Sequence, residues 1–282
     1  MISKIQRQVH LITQWFSHPH LRNRSLEITK TLRKNVENPS IDRIHLLQSP
    51  FDSQNKSITL SLSYFDSLIN FDPDFPLELF YQKLVLVSTN KLGRLLASDA
   101  FAYASTNLKG NIALLANADI YFDSSLELLK TSQSDLSLHT IYFLSRYEEE
   151  GKEEASLIGT QCGPKFIGSA DTIAFIPPLP SGVSKQVPFH LGSWGIENRI
   201  LWEFEQYGIK GRNPCYDIKS WHIHENGFKL GWMPQVNTDN KSSVAFPDTL
   251  ISSLRPDYPW DIKRWQEEQE KNEKNNNIEP KE

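Results

Sequence analysis

The order of apolar and polar positions along the chain predicts alternating strands and helices through its middle. Two short apolar runs, residues 84–87 and 112–116, are typical of strands buried on both faces. Residues 95–104 between them can form a helix, and Ser124 and Glu127 have capping-box spacing that marks another helix start. This alternation predicts a mostly parallel central sheet flanked by helices, with ligands bound outside the carboxyl ends of its strands.

The flanking segments supply further predicted elements. Apolar residues recur at helical spacing over 2–16 and again over 24–36, where Asn38-Pro39 ends the pattern because proline disfavours a preceding helical residue. A first strand is predicted over 41–47, and the polar, aromatic stretch 49–80 is interpreted as a long loop or an insertion with short elements. The remaining predictions are strands at 139–144, 172–176 and 218–224 and a helix over 197–207 that ends at Gly208.

Length and composition favour one domain. A chain of 282 residues with 39% apolar positions can bury a substantial core, and a single α/β domain is expected over 1–265. Residues 266–282 are nearly all Glu, Lys, Asn and Gln. Such a composition buries too little apolar surface to offset the entropy lost on ordering, so this tail is predicted to be disordered.

Charge and cysteine content narrow the classes of partner. With 30 Lys and Arg against 34 Asp and Glu, the net charge of −4 provides no long-range attraction for nucleic acid. Cys162 and Cys215 are too far apart for a C-x-x-C pair and are interpreted as free thiols in a reducing compartment. No run of about 18 apolar residues, as a membrane span needs, and no secretion signal occurs. A cytoplasmic protein without a transmembrane segment is therefore expected.

Asn117-Ala118-Asp119 carries the first candidate chemistry, because it directly follows the predicted strand 112–116. Asp119 lies where an α/β sheet presents ligand-binding groups, and a carboxylate there can hold Mn²⁺ or Mg²⁺. Asn117 would face the same way if strand geometry continued through the motif. A plain turn is an equally good interpretation, since both residue types favour turns. Asp123 is assigned to the following helix start, where a negative side chain meets the helix dipole.

The pair His222 and His224 carries the second candidate chemistry. On a strand, two residues apart means one face, at a separation of roughly 6.6 Å. Imidazole suits Mn²⁺ better than Mg²⁺, so a site shared with Asp119 would favour manganese. The alternative is one histidine bonded to the backbone and the other exposed to solvent.

Taken in order, these motifs resemble those of predicted GT-A-type glycosyltransferases. In such proteins an Asn-x-Asp-Ile-x-Phe-Asp segment precedes a Leu-Ser-Arg-Tyr strand, a Gly-Ser-x-Asp segment, a Gly-x-(Asp/Glu)-Asn-Arg helix start and a distal His-x-His. The corresponding segments here are 117–123, 144–147, 168–171, 195–199 and 222–224. The resemblance spans about residues 24–224. It departs at the insertion 49–80, at Glu197, where Asp is commoner, and at 170–173, which lacks a tryptophan.

The resemblance implies a Rossmann-like GT-A fold and transfer of a sugar from a nucleotide-sugar donor, such as a UDP-sugar, to a carbohydrate or other hydroxyl acceptor. Asp119 with His222 or His224 would hold Mn²⁺ or Mg²⁺ at the donor diphosphate. The proposed nucleotide and phosphate contacts are Arg24, Arg94, Asp99 and Asn117, although Arg24 could instead simply pair with Glu27. Glu197 and Asp171 are the candidate catalytic carboxylates if the reaction inverts the anomeric centre, and retention stays open.

Two other functions fit parts of the sequence. A nucleotidyltransferase could use a similar sheet and metal site, but the first predicted strand is not followed by a glycine-rich phosphate loop. A non-catalytic carbohydrate-binding protein could stack sugar rings on exposed tryptophans. The candidates for such stacking are Trp194, Trp202, Trp221 and Trp232.

Overall fold

A seven-stranded sheet forms the centre of the structure. The computed structural model describes residues 7–16, 22–49, 62–89, 94–148, 156–157, 170–223, 236, 241–243, 245 and 248–250. The strands of this sheet are β1 (Val9–Thr13), β2 (Arg43–Gln48), β3 (Leu84–Ser88), β4 (Ile112–Ala116), β6 (Thr140–Leu144), β9 (Thr172–Phe175) and β10 (Lys210–Arg212). They lie in the order β10-β6-β9-β4-β1-β2-β3. Only β9 runs antiparallel to its neighbours, so the predicted mostly parallel sheet is confirmed.

A smaller sheet follows the carboxyl ends of β4 and β6. It contains β5 (Ile120–Phe122), β7 (Arg146–Glu148), β8 (Ser156–Leu157) and β11 (Ser220–His222), in the order β5-β11-β7-β8. The chain enters β5 within four residues of leaving β4, and it enters β7 within two residues of leaving β6. The smaller sheet therefore begins at the carboxyl ends of β4 and β6. Ligands of α/β sheets bind at this edge.

Helices cover both faces of the central sheet. The helices are α1 (Arg22–Glu37), α2 (Leu77–Lys83), α3 (Ala97–Asn107) and α4 (Ile196–Glu205), with a 3₁₀ helix at Leu62–Asn70. Apolar residues of α1 and of this 3₁₀ helix pack with one set of strand side chains, and those of α3 and α4 pack with the opposite set. The architecture is the predicted mixed α/β fold with a central sheet between helical layers.

The N-terminal helical pattern proved misleading, because Val9–Thr13 forms the strand β1 inside the sheet. Every residue of β1 is buried, including the polar His10. The Nδ1 atom of His10 lies 2.8 Å from His45 Nε2, and the Nδ1 atom of His45 lies 2.8 Å from the Tyr103 hydroxyl. Burial lowers the pKa of both histidines, to about 4 for His45. A neutral imidazole thus occupies an interior position that the sequence pattern marks as polar.

Most other predicted elements are present with shifted ends. The helix after Asp123 is a short 3₁₀ helix, Ser124–Lys130, and its capping side chain is Asp123 itself, which accepts a hydrogen bond from the Ser125 amide. The structural role assigned to Asp123 is therefore confirmed. The predicted capping box of Ser124 and Glu127 is not formed, because Asp123 is the N-cap residue. Gly208 follows α4 with a φ of +73°, as a helix-ending glycine should. The stretch 49–80 contains short helical elements in its described part.

The described residues belong to one compact unit, Met1–Leu250. The tail 266–282 lies outside the described residues, so both its predicted disorder and the boundary at 265 stay predictions. Within the described ranges, no helix combines the length and the apolar character that crossing a membrane requires.

Candidate active site

The turn Asn117-Ala118-Asp119 joins the two sheets. Strand β4 ends at Ala116, and the amide of Ile120 donates to the Asn117 carbonyl at 3.2 Å as β5 begins. Strand geometry does not continue through the motif, so Asn117 and Asp119 do not point to one place as a strand would require. The motif is a turn, and its two polar side chains, Asn117 and Asp119, belong to different clusters.

Asp119 enters a cluster of basic side chains. Its Oδ2 atom accepts a hydrogen bond from Arg24 in the first turn of α1, and it lies 3.3 Å from His222 Nε2 on β11. The Arg24 Nη1 atom also pairs with Glu27 Oε2 at 2.9 Å, so the predicted pairing with Glu27 is present, and the contact of Arg24 with a phosphate stays a prediction. The amide of Ile223 donates to the Asp119 carbonyl at 3.3 Å, which fixes β11 beside the turn. Residues distant in sequence therefore meet at one oxygen atom.

The carboxyl group of Asp119 is held in its ionised form. Burial acts to raise its pKa, but the hydrogen bond and charge of His222 and the ion pair with Arg24 outweigh burial and hold the pKa well below its usual range. Its Oδ1 atom accepts no hydrogen bond from any described residue, while the Nε of Arg24 is buried and likewise without a partner among them. The cluster thus contains a buried donor, Arg24 Nε, that no described residue satisfies.

Arg94 lies close enough to this cluster for its charge to interact with Arg24 and Asp119. Burial lowers its pKa, the charge of nearby Arg24 lowers it further, and Asp119 opposes both effects. Its guanidinium makes neither a hydrogen bond nor an ion pair with any residue that the structure describes, and its Nη1 atom packs against Gly192, where a Cβ would lie only 3.2 Å away. Two guanidinium groups close enough to repel each other, with donors to spare, are suited to a polyanionic ligand.

Asn117 enters a second cluster, around Asp171. The Asn117 amide donates to Asp171 Oδ1 at 2.7 Å, and Arg146 Nη1 donates to Asp171 Oδ2 at 2.7 Å. Asp171 directly precedes β9, which pairs with β4 so that Thr172 lies opposite Ala116. Antiparallel pairing of β9 therefore brings a residue from before a strand to the same edge as residues that follow β4.

Glu197 completes the second cluster from the first turn of α4. Burial raises the pKa of Glu197 well above its usual range, and the negative charge of Asp171 raises it further, against an opposing effect of Arg146. Gly195 caps the helix with a φ of +75°, a conformation that glycine adopts readily. Glu197 therefore lies in the first turn of a helix, as the helix-terminus interpretation expects.

The structure brings together Arg24, Asp119, His222 and Arg94 around one turn residue, and Asn117, Asp171 and Glu197 around the other. Asp99 lies in the first turn of α3, and His224 lies outside the described residues. The sequence interpretation gave Arg146 no role, although the Leu-Ser-Arg-Tyr motif contains it. Its place in that motif, directly after the predicted strand 139–144, was the sequence signal that could have identified it.

The tryptophans differ sharply in their surroundings. The Trp221 ring stacks on Tyr121 with centroids 6.3 Å apart, and its Nε1 atom donates to Asp123 at 2.9 Å. The charged groups of Lys241 and Arg199 lie 5.4 and 5.7 Å from the ring centroid of Trp202. Trp194, by contrast, is 65% exposed, and Trp232 lies outside the described residues. Of the proposed stacking residues that the structure describes, Trp194 is the most open.

The first cluster fits a divalent cation in part. A carboxylate oxygen and an imidazole nitrogen 3.3 Å apart are a donor set that suits Mn²⁺. No group of three His, Cys, Asp or Glu side chains within the described ranges could hold a metal by itself. A cation here would therefore need ligands from outside this set, as diphosphate oxygens and water provide.

Comparisons with known proteins give only distant similarities. No protein-family model matches the chain, and no curated protein matches its sequence. A mannosyltransferase from Pyrobaculum calidifontis, solved with GDP-Man and Mn²⁺, aligns over 78% of this chain and 57% of its own, at 11% identity and a TM-score of 0.43. GalNAc-T7, solved with UDP, GalNAc and Mn²⁺, aligns over 83% of this chain and 46% of its own, at 10% identity and a TM-score of 0.45.

A nucleotide-transferring enzyme is similar to about the same degree. The inositol-1-phosphate CTP transferase from T. maritima aligns over 78% of this chain and 90% of its own, at 11% identity and a TM-score of 0.41. This chain spans about half the length of the two sugar transferases. Because all three similarities are distant, the function proposed below rests on the residues of the site.

Proposed function

We propose that this chain is a metal-dependent glycosyltransferase that moves a sugar from a nucleotide-sugar donor to a hydroxyl acceptor. One observation supports the proposal: the turn 117–119 carries an ionised carboxylate that meets an imidazole and an arginine, and it also carries Asn117, which bonds to Asp171 in the cluster where the pKa of Glu197 is raised. The first set suits a cation and a diphosphate, and the second suits a proton acceptor. Transfer of a glycosyl group needs both.

The donor diphosphate is assigned to the first cluster. Asp119 and His222, with His224 as a further candidate, would hold Mn²⁺ or Mg²⁺, which supplies Lewis-acid stabilisation to the leaving diphosphate when bound. Arg24 and Arg94 face the same region and neutralise the negative charge that develops as the bond from the anomeric carbon to the diphosphate breaks. Asp99 is retained as a nucleotide contact on sequence grounds.

The acceptor hydroxyl is assigned to the second cluster. In an inverting reaction Glu197 takes the hydroxyl proton as the acceptor oxygen bonds to the anomeric carbon, and the nucleoside diphosphate leaves. A carboxylate whose pKa is raised toward the working pH is a stronger base than an ordinary glutamate. Both oxygens of Asp171 accept hydrogen bonds from Asn117 and Arg146, which hold it in place, and we assign it to a hydroxyl of the donor sugar.

Nucleotide binding in the presence of metal tests the proposal. Thermal unfolding is measured with UDP, GDP and several nucleotide sugars, each with and without Mn²⁺, because a ligand that binds only the native state raises apparent stability, by about 2.7 kcal/mol at 100 times its Kd. A Mn²⁺-dependent rise in Tm is expected with one nucleotide and is expected to disappear in His222→Ala. Arg33→Gln, on the far part of α1, is the control. Absence of any nucleotide-dependent shift in the native protein would refute the donor site.

Sugar binding without turnover is the second candidate, and the exposed indole of Trp194 favours it. Release of free sugar or transfer product from the nucleotide sugar that shifts the Tm separates the two functions. A glycosyltransferase turns the donor over at a measurable rate, whereas a binding protein leaves it intact. A nucleotidyltransferase would instead release pyrophosphate from a nucleoside triphosphate and a sugar phosphate.

A further inference from the structure

Two buried asparagines at the end of α1 contact the strand that follows Asp119. Asn35 is 2% exposed and Asn38 is 6% exposed, although both side chains are polar. The Asn35 carboxamide donates to the Ile120 carbonyl at 2.8 Å and accepts from the Phe122 amide at 3.2 Å. Asn38 donates to the Phe122 carbonyl at 2.9 Å. Side chains of a helix therefore bond to the backbone of the strand β5.

The Asn35 side chain takes the place of a neighbouring strand. Strand β5 pairs with β11 along one side, where Tyr121 lies opposite Trp221. The backbone groups of alternate residues point to opposite sides of a strand, and those of Ile120 and Phe122 point to α1. A carboxamide carries the donor and the acceptor of a peptide group, so one side chain satisfies both. Its loss would leave buried backbone groups without partners.

Helix α1 holds the Asp119 motif at two places along its length. Arg24 in the first turn donates to the Asp119 carboxylate, and Asn35 bonds to the backbone directly after Asp119. Eleven residues separate Arg24 from Asn35, which is about three turns and returns the chain to the same face of the helix. The bonds of Asn35 therefore fix where β5 lies along α1, and with it where Asp119 meets Arg24.

The position of β5 matters because Asp119 directly precedes it. A shift of Ile120 moves Asp119, since consecutive Cα atoms are held about 3.8 Å apart. The amide of Ile223 donates to the Asp119 carbonyl at 3.3 Å, and His222 lies opposite Ile120 in the sheet, so the same shift also reaches His222. Metal-ligand distances vary by only about 0.2 Å. A contact that places β5 therefore controls a geometry with little tolerance.

We infer that Asn35 is a positioning residue for Asp119: its carboxamide holds β5 against α1 and so sets where the Asp119 carboxylate lies. Asn35 acts through the backbone of β5 and not on a ligand. An asparagine that only stabilised the fold would leave ligand affinity unchanged in molecules that remain folded. What Asp119 binds rests on the proposed function, whereas the positioning itself does not.

Asn35→Leu removes both hydrogen bonds and keeps a side chain of similar size. Val36→Ala is the matched control, because Val36 is also buried on α1 and its truncation lowers stability without removing a hydrogen bond to β5. Titration calorimetry measures the affinity for UDP and GDP with Mn²⁺ at a temperature where the variants are folded. Asn35→Leu should weaken it by about ten- to hundredfold, as loss of a contact that orients a metal ligand does, and Val36→Ala by less than about twofold.

Amide hydrogen exchange measures the same positioning without a ligand. The amides of Ile120 and Ile223 bond to the two ends of the turn, and neither bond includes Asn35. In Asn35→Leu both amides should exchange about tenfold faster than in Val36→Ala, relative to the amides of α3, which report global unfolding. Asn35→Ser, which leaves space for a bridging water, should give an intermediate rate and serves in place of Asn35→Leu if that variant does not fold.

The outcomes separate this inference from the proposed function. Weaker binding of nucleotide with Mn²⁺, together with faster exchange at the two turn amides, supports both. Faster exchange in the variant of a protein whose native form binds no nucleotide supports the positioning and overturns the donor site. Unchanged exchange at the two amides, or an affinity that falls equally in the Asn35 variant and in Val36→Ala, overturns the positioning and leaves Asn35 a structural residue.

Discussion

Asp119 and Glu197 are acidic residues at the same edge of the central sheet, yet their surroundings are opposite. Asp119 meets Arg24 and His222, and these basic groups outweigh burial and keep its pKa low. Glu197 is buried next to another carboxylate, and its pKa is raised. The difference arises from the turn after β4, which directs Asp119 toward α1 and β11 and directs Asn117 toward Asp171.

This difference teaches how one sheet edge can hold two kinds of acid. A carboxylate that stays ionised suits a cation, and a carboxyl group with a raised pKa suits proton transfer, so environments that separate two pKa values also separate two roles. Asp171 belongs to the Glu197 cluster, because hydrogen bonds from Asn117 and Arg146 hold it there, away from the cluster around Asp119. Substitutions that exchange or remove these surroundings test the division of roles.

The largest expected effect follows from replacing Glu197 by Gln. An amide keeps the shape but cannot take a proton, so turnover of the donor onto the acceptor is expected to fall by about 10²- to 10⁴-fold. The Mn²⁺-dependent Tm shift with nucleotide should persist, because the first cluster is untouched. Glu205→Gln, on the same helix and exposed, is the matched control for kcat. A retaining enzyme that uses another nucleophile would show a small effect, which would remove Glu197 as the base.

The amide substitutions of the two acids are expected to change stability in opposite directions. Asp119→Asn leaves Arg24 and His222 without their anion and should lower the free energy of unfolding at pH 7 by about 3 kcal/mol, the cost of breaking a largely buried ion pair. Glu197→Gln mimics the protonated acid that the fold prefers and should raise the free energy of unfolding at pH 7. Urea unfolding measures both, and changes of the same sign would contradict the comparison.

The pH dependence of these stability changes also differs in sign. The folded-state pKa of Asp119 lies below the unfolded value of about 3.9, so its contribution is full above that pH and is lost as the pH falls through the folded-state pKa. The folded-state pKa of Glu197 lies above the unfolded value of about 4.3, so stability is full below that pH and is lost as the pH rises through the folded-state pKa. The gain from Glu197→Gln should therefore vanish in acid.

The sequence predicts the sheet better than it predicts the site. Runs such as Ile112–Ala116 are apolar on both faces, and this pattern has few explanations other than a buried strand. Strand β1 was not predicted because it contains the polar His10, whose Nδ1 atom bonds to His45, a partner 35 residues away that no local pattern reveals. A polar residue can be assigned to the interior from sequence only when its hydrogen-bond partner is known.

The pairing of site residues escaped prediction for a related reason. The sequence left open whether Asn117 and Asp119 face one way on a strand or form a turn, because the answer depends on where β4 stops. Arg146 reaches Asp171 because β9 runs antiparallel between β4 and β6, a crossing that spacing along the chain does not encode. Residue types at strand ends were predictable, whereas the three-dimensional partners that set their pKa values were not.

The pH at which kcat/KM rises on the acid side of the pH-rate profile should depend on Asp171. Its negative charge raises the pKa of Glu197, so Asp171→Asn should lower that pKa and shift the rise of kcat/KM to lower pH. The size of kcat is a separate matter, since Asp171 is also assigned a donor hydroxyl. A pH-rate profile compares the native enzyme with Asp171→Asn, and Asp217→Asn serves as the control. An unshifted limb would mean that a group other than Glu197 titrates in that range.

The smallest expected effect concerns Arg24, which shares Asp119 Oδ2 with His222 and so competes with a cation for that oxygen. Arg24→Gln is expected to strengthen binding of Mn²⁺ alone by about threefold, since one ion pair no longer opposes it. It is expected to weaken binding of UDP or GDP with Mn²⁺ by about tenfold, since a phosphate-facing guanidinium is lost. Titration calorimetry measures both affinities, with Arg33→Gln on the same helix as the control. A parallel fall in both would show that Arg24 only keeps Asp119 in position and makes no separate contact with the diphosphate.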